Sequence, residues 1–158
     1  MTNTGWSLDH CSLTVPDLEA AVDFFTVVVG ARTQYSRTLD PGSAPAAMRE
    51  NFNAHPDVGF RLAKLEIPGG LGLELFEYQA PDQTREHPRN CDVGGTHLGF
   101  LVDDLNAAIA RVRKYPGTRV LGHPQSLPPG HPLAGRTWIY FLSPWGQQLE
   151  LVDDSGRQ

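Results

Sequence analysis

From residue 7 to residue 15 the chain alternates, with Cys11, Leu13 and Val15 on one side and His10, Ser12 and Thr14 on the other, which is the two-residue period of a strand. Asp17 then stands where a helix cap belongs. Leu18, Ala21, Val22 and Phe25 recur at helical spacing before Gly30, so the pattern predicts a helix running to about Val29. ARTQYSRT reads as an edge strand, and VGFRLAKLEI and LGLELFEYQ read as strands on either side of Pro68-Gly69-Gly70, a hairpin signal. The second half predicts the same order: strand THLGFLV, helix DLNAAIARVRKY, a weaker strand TRVLGH, strand RTWIYFL, the turn Ser143-Pro144-Trp145-Gly146, and strand QQLELVD. The predicted class is α+β, a single domain over 1–158 built of two βαβββ modules at 7–80 and 92–154, joined by the charged, Pro-containing segment 81–91.

The modules repeat in sequence as well as in pattern. LDHCSLTVPDLEAAVDFF returns as GTHLGFLVDDLNAAIARV, with His10 matching His97 and Asp17 matching Asp104 at a constant offset of 87 residues. GLELFEY, which carries Glu74, returns as QLELVDD, which carries Glu150, at an offset of 76, so the first copy holds eleven extra residues. The Pro- and Ala-rich stretch 39–57 and the Pro- and Gly-rich stretch 122–135 interrupt the pattern and read as exposed connections, with a ligand-closing lid as the alternative.

Alternation also decides which way the polar residues of the strands face. In LGLELFEY the leucines share one side and must pack under a helix, which puts Gly72, Glu74, Phe76 and Tyr78 on the other. By the same rule His97 and Gly99 face away from Leu98 and Phe100, and Glu150 faces away from Leu149 and Leu151. A carboxylate between two leucines is costly unless water or a positive charge meets it. One His and one Glu at equivalent places in each half make a set of nitrogen and oxygen ligands suited to Zn²⁺, Fe²⁺, Ni²⁺, Co²⁺ or Mn²⁺.

A net charge of −5 with scattered Lys and Arg provides no patch to neutralise phosphates, so nucleic acid is not an expected partner. No apolar run approaches the roughly 20 residues of a bilayer span, and MTNTGWSLDH lacks a basic-then-apolar signal pattern, so a soluble cytoplasmic protein is expected. Two cysteines make neither a disulfide framework nor a Cys-rich zinc site; Cys11 is expected to pack as a small apolar residue.

The tandem repeat, the D-H-x-x-L-x-V-x-D-L-x-x-A start, the T-H-L-G-F-x-V-D-D-L middle and the F-L-S-P-W-G-Q-Q-L-E-L close resemble the vicinal oxygen chelate superfamily over about residues 8–152. That superfamily includes glyoxalase I, methylmalonyl-CoA epimerase, fosfomycin-resistance and bleomycin-binding proteins and extradiol dioxygenases. The resemblance implies mixed sheets that curl around a metal-bearing cavity, one divalent metal per site, and His10, Glu74, His97 and Glu150 as its ligands. It also implies a small-molecule substrate and an oxyanion stabilised by the metal. In the isomerase-like branches this is an enolate, formed when a base takes a proton beside a carbonyl. Glu150, or Glu74 if it loosens from the metal, is then the natural base. HPDVGFRLA resembles the epimerase segment that carries a second carboxylate, which falls here on Asp57.

The leading expectation is thus a metal-dependent isomerase or lyase of glyoxalase or epimerase type, acting on a small carbonyl compound or thioester. An Fe²⁺-dependent extradiol dioxygenase is the alternative, with a ligand-sequestering resistance protein as the third. Phe76, Tyr78, Trp138 and Phe141 are candidate apolar walls, and His131 is a candidate substrate contact from the 122–135 loop. Arg32, Arg37 and Arg136 are available for an anionic adduct, while His55, His87 and His123 read as surface residues. Two βαβββ halves leave strand edges that relatives cover by pairing chains, so a homodimer is expected, with each metal site drawn from one chain or shared by two.

Overall fold

The computed structural model describes residues 5–156. The chain divides into two compact units between Arg85 and Glu86. The first contains β1 (His10–Thr14), α1 (Leu18–Phe24), a π-helical turn (Phe25–Val29), β2 (Arg32–Leu39), α2 (Pro45–Asn51), β3 (Gly59–Glu66) and β4 (Gly72–Gln79). The second contains β5 (His97–Leu101), α3 (Leu105–Lys114), β6 (Arg119–Ser126), β7 (Thr137–Leu142) and β8 (Gln148–Asp153). Their sheets have equivalent strand orders, β1-β4-β3-β2 and β5-β8-β7-β6. In each, the first strand pairs parallel to the last and the other pairs are antiparallel, so the predicted βαβββ order folds into one four-stranded mixed sheet per half.

The repeated aspartates do the same work in both copies. Asp17 Oδ1 accepts the Ala20 N–H at 2.9 Å, and Asp104 Oδ1 accepts the Ala107 N–H at 2.9 Å, each satisfying a donor that the helix start leaves open. The first helix ends at Gly30, whose φ of 82° lies in the left-handed region that closes a helix most readily when there is no Cβ. One face of the first sheet packs under α1, burying Leu13, Ala63, Leu65, Leu73 and Leu75 against Leu18, Ala21, Phe24 and Phe25. In the second unit Ile139, Phe141, Leu149 and Leu151 are buried, as are Leu105, Ile109 and Val112 of α3, which packs on β8. Phe141 is therefore part of the helix-side core, 1% exposed, and walls no cavity: it alternates with Tyr140, which takes the opposite face.

Stretch 39–57 is not a plain exposed connection. Pro45 begins α2, whose Met48 is 1% exposed and packs on Val58, Phe60, Leu62 and Phe76. Those last three residues lie on the sheet face opposite α1, so the extra chain of the first copy covers part of the face that also carries Glu74. Stretch 122–135 begins within β6, where the pairing with β7 slips between Leu121 and Gln125, and continues into turns anchored by Leu127 N–H to Arg136 O at 2.9 Å. Among the described residues no helix is long and apolar enough to cross a membrane.

Candidate metal centre

In the first unit β1 and β4 run side by side with His10 opposite Gly72 and Ser12 opposite Glu74. His10 and Glu74 therefore stand as diagonal neighbours on one face, and Nε2 of the imidazole lies 3.4 Å from Oε2 of the carboxylate. The other ring nitrogen, Nδ1, is 2.7 Å from Asp9 Oδ2. Directly across β3 from Glu74 is Lys64, whose Nζ donates to Glu74 Oε1 at 3.3 Å and lies 4.0 Å from Asp9 Oδ2. Gly72 makes this possible: a Cβ there would come within 2.9 Å of Lys64 Cε and 3.1 Å of His10 Cβ.

The second unit rebuilds the pair with different neighbours. His97 Nε2 lies 3.6 Å from Glu150 Oε2, and His97 Nδ1 is 3.0 Å from Asn90 Oδ1. Across β7 from Glu150 stands Tyr140 in place of a lysine, with its ring 5.2 Å from that of His97 in an edge-on contact. Burial pushes the Tyr140 phenol up, and the charge of Glu150 adds to this; Tyr78 is raised by burial and then by Glu74. Gln147, 3% exposed, donates to Thr96 O at 2.8 Å and to Gln148 O at 3.0 Å, tying the residue before His97 to the start of β8.

Two ligand atoms each about 2.1 Å from one ion, at a tetrahedral angle, lie about 3.4 Å apart. The His–Glu separations of 3.4 and 3.6 Å match that spacing in both halves. In each half Nδ1 faces a side-chain oxygen that can accept from it and Nε2 faces the glutamate, the arrangement that metal-binding histidines favour. The donor set fits a divalent ion.

Other candidates lie elsewhere. Asp57, 69% exposed at its side chain, precedes β3, seven residues from the Lys64 position opposite Glu74; its backbone N–H donates to His55 Nδ1 at 3.2 Å. His131 is exposed and accepts the Leu133 N–H at 3.0 Å, so it shapes its own turn. His87 departs from the surface role expected of it: it is half-buried, with Nε2 3.1 Å from Gln147 Oε1. His123 is exposed, as expected. Arg136 is held by Asp154 at 2.6 and 2.9 Å, and Arg32 faces Glu66 at 3.2 Å. Cys11 is half-buried, and Asp17, Glu19 and Glu77 cluster on the helix side, where Arg61 bonds both glutamates. Sequence reasoning missed Asp9, Asn90, Lys64 and Tyr140. The signal for Lys64 was present, since a lysine between Ala63 and Leu65 in a buried strand must find a counter-charge on the open face.

The chain belongs to the glyoxalase/bleomycin resistance protein/dioxygenase superfamily, whose model matches residues 7–151. It is 46% identical over 147 residues to a 2-epi-5-epi-valiolone epimerase from an Actinomyces species, covering 93% of this chain and 79% of the relative. Solved structures share the fold at low identity. A glyoxalase family protein from Bacillus cereus matches with a TM-score of 0.73 at 18% identity, over 92% of this chain and 91% of the other. A fosfomycin resistance protein from Listeria monocytogenes, solved with Mn(II) and sulfate, matches with a TM-score of 0.58 at 17% identity, over 93% and 91%.

Proposed function

We propose that this chain is a divalent-metal-dependent epimerase that inverts a carbon beside the carbonyl of a small ketone of the valiolone type. The observation that carries the reading is the pair of matched His/Glu couples, each spaced as adjacent ligands and each with its imidazole Nδ1 held, in a chain 46% identical to a named epimerase. His10, Glu74, His97 and Glu150 are the proposed ligands, supplied by one chain or by two chains of a homodimer. A divalent ion bound there supplies Lewis-acid polarisation of the carbonyl.

The remaining chemistry falls to side chains. A carboxylate, Glu150 or Glu74, takes the proton from the carbon next to the carbonyl, the C–H electron pair moves toward the carbonyl oxygen as an enolate, and a proton returns to the opposite face. No redox partner is consumed. The exposed position of Asp57, away from Glu74 in its own unit, supports the two glutamates over Asp57 for this role.

The test is turnover of 2-epi-5-epi-valiolone in D₂O by protein loaded with Mn²⁺ or Co²⁺. Deuterium should appear at the inverted carbon, and no oxygen should be consumed. Oxygen uptake with opening of a catechol ring would replace this reading with the dioxygenase, and tight ligand binding without exchange would replace it with a sequestering protein.

A further inference from the structure

The extra chain of the first copy does more than cover its sheet. With α2 and the turn behind it, it walls a cavity of about 740 Å³ that lies wholly within the first unit, a size at which small molecules are held. The second unit, with no helix between its last three strands, has no counterpart to α2. The floor of the cavity belongs to the sheet face opposite α1: Thr14 follows His10 and Ser12 on β1, and Tyr78 follows Glu74 and Phe76 on β4. Each stands four residues beyond the candidate ligand on its strand, roughly 13 Å along it, too far for a single small ring to reach both places. The turn that closes the cavity is set by Asn53, the one non-glycine among the described residues with a positive φ, 49°. Asparagine tolerates that left-handed conformation better than most side chains, and it carries Phe52 and Asn53 to the cavity from the C-terminal end of α2.

The polar lining is uncommitted. Among the described residues the side chains of Arg49, Asn53, Asp82 and Gln83 have no hydrogen-bond or ion-pair partner. A guanidinium, two amides and a carboxylate offer donors and acceptors from several sides. Beside them stand aromatic surfaces: Phe52 remains 42% exposed although its ring packs at 5.7 Å on that of Phe60, and Tyr78 is half-buried.

Charge selects among the ligands such a lining could take. One guanidinium and one carboxylate nearly cancel, and His55 is turned to Asp57, whose N–H its Nδ1 accepts at 3.2 Å. The end of α2 nearest the cavity is the one whose carbonyls disfavour an anion. A neutral ligand meets these conditions and a phosphate does not. A ring bearing several hydroxyls uses the whole lining, because each hydroxyl both donates and accepts while the C–H faces of the ring lie on aromatic carbon.

We propose that this cavity is a binding site for a neutral polyhydroxylated ring, with Arg49, Asn53, Asp82 and Gln83 taking its hydroxyls and Phe52 and Tyr78 its apolar faces. The site needs no metal, so it stands apart from the reading of the His/Glu couples.

Amide chemical shifts of the isotope-labelled full chain, held in chelator and titrated separately with myo-inositol, 2-epi-5-epi-valiolone, inorganic phosphate and cyclohexanol, test it. Both polyols should shift the amides of residues 49–58 and 78–84 with a Kd at least about tenfold below those of phosphate and cyclohexanol. Arg49→Met and Gln83→Leu, neither of which touches the buried core, should each weaken inositol binding about tenfold with the rest of the spectrum kept. Arg32→Met on β2 should leave it unchanged, and so should Zn²⁺ added in place of the chelator. Shifts confined to the surroundings of His10 and Glu74, tighter binding of phosphate than of either polyol, or no shift with either polyol would each overturn the site. Undiminished inositol binding in both lining variants would overturn its assignment to these residues, and a Kd that depends on Zn²⁺ would overturn its independence of the metal.

Discussion

The carboxylate of Asp9 lies 2.7 Å from Nδ1 of His10, its neighbour in the chain, and so faces the nitrogen that the glutamate does not. Partners of this kind fix both the tautomer and the ring orientation of a ligating histidine. Asp9→Ala should weaken Co²⁺ or Zn²⁺ binding by about 10- to 100-fold, measured by competition with a chelator. His10→Ala and His97→Ala should each remove the metal at the same concentrations, whereas the exposed His123→Ala should leave it bound. Full occupancy in either of the first two would take that histidine out of the ligand set.

Met48 is the buried residue of a seven-residue helix and packs on three residues of the sheet face that carries Glu74. Met48→Ala keeps a good helix former and removes only packing, so it should cost about 2–4 kcal/mol in urea unfolding. A loss below about 1 kcal/mol would mean that α2 sits loosely and contributes little to the closure of that face.

Tyr78 and Tyr140 carry phenols raised by burial above the ordinary 10.0, with Glu74 and Glu150 contributing in turn. The folded chain therefore holds protons that the unfolded chain releases, and the linkage runs in one direction. Stability is unaffected by these groups below the ordinary value and falls as pH rises from about 10 through the folded values. The double variant Tyr78→Phe/Tyr140→Phe should lose less stability than the natural chain between about pH 9.5 and 11, with phenolate absorbance reporting the same titration. Parallel losses in the two proteins would show that neither phenol is shifted.

A homodimer remains the expected assembly, since each sheet has an outer strand, β2 or β6, with an unpaired edge in the described chain. Light scattering at micromolar concentration should return twice the chain mass of 17.3 kDa. A value at the chain mass itself would require all four ligands to come from one molecule.

The sequence by itself determined the repeated βαβββ order, the capping aspartates, and the face on which each proposed ligand stands. These are local matters: a strand's side chains alternate with period two and a helix start needs an acceptor, so His10, Glu74, His97 and Glu150 could be sorted from the leucines beside them by counting. The His–Glu couples followed within each half because the first and last strands pair. Only the tertiary structure decided what surrounds them. Register set Lys64 across from Glu74 and Tyr140 across from Glu150, and a one-residue slip would have exchanged them for apolar neighbours. Chain path brought Asn90 from outside any strand to His97 Nδ1, and α2 out of a stretch that composition alone marked as a connection. Contacts between residues far apart in sequence depend on strand pairing and on how loops return, and neither is written in any window short enough to read by period.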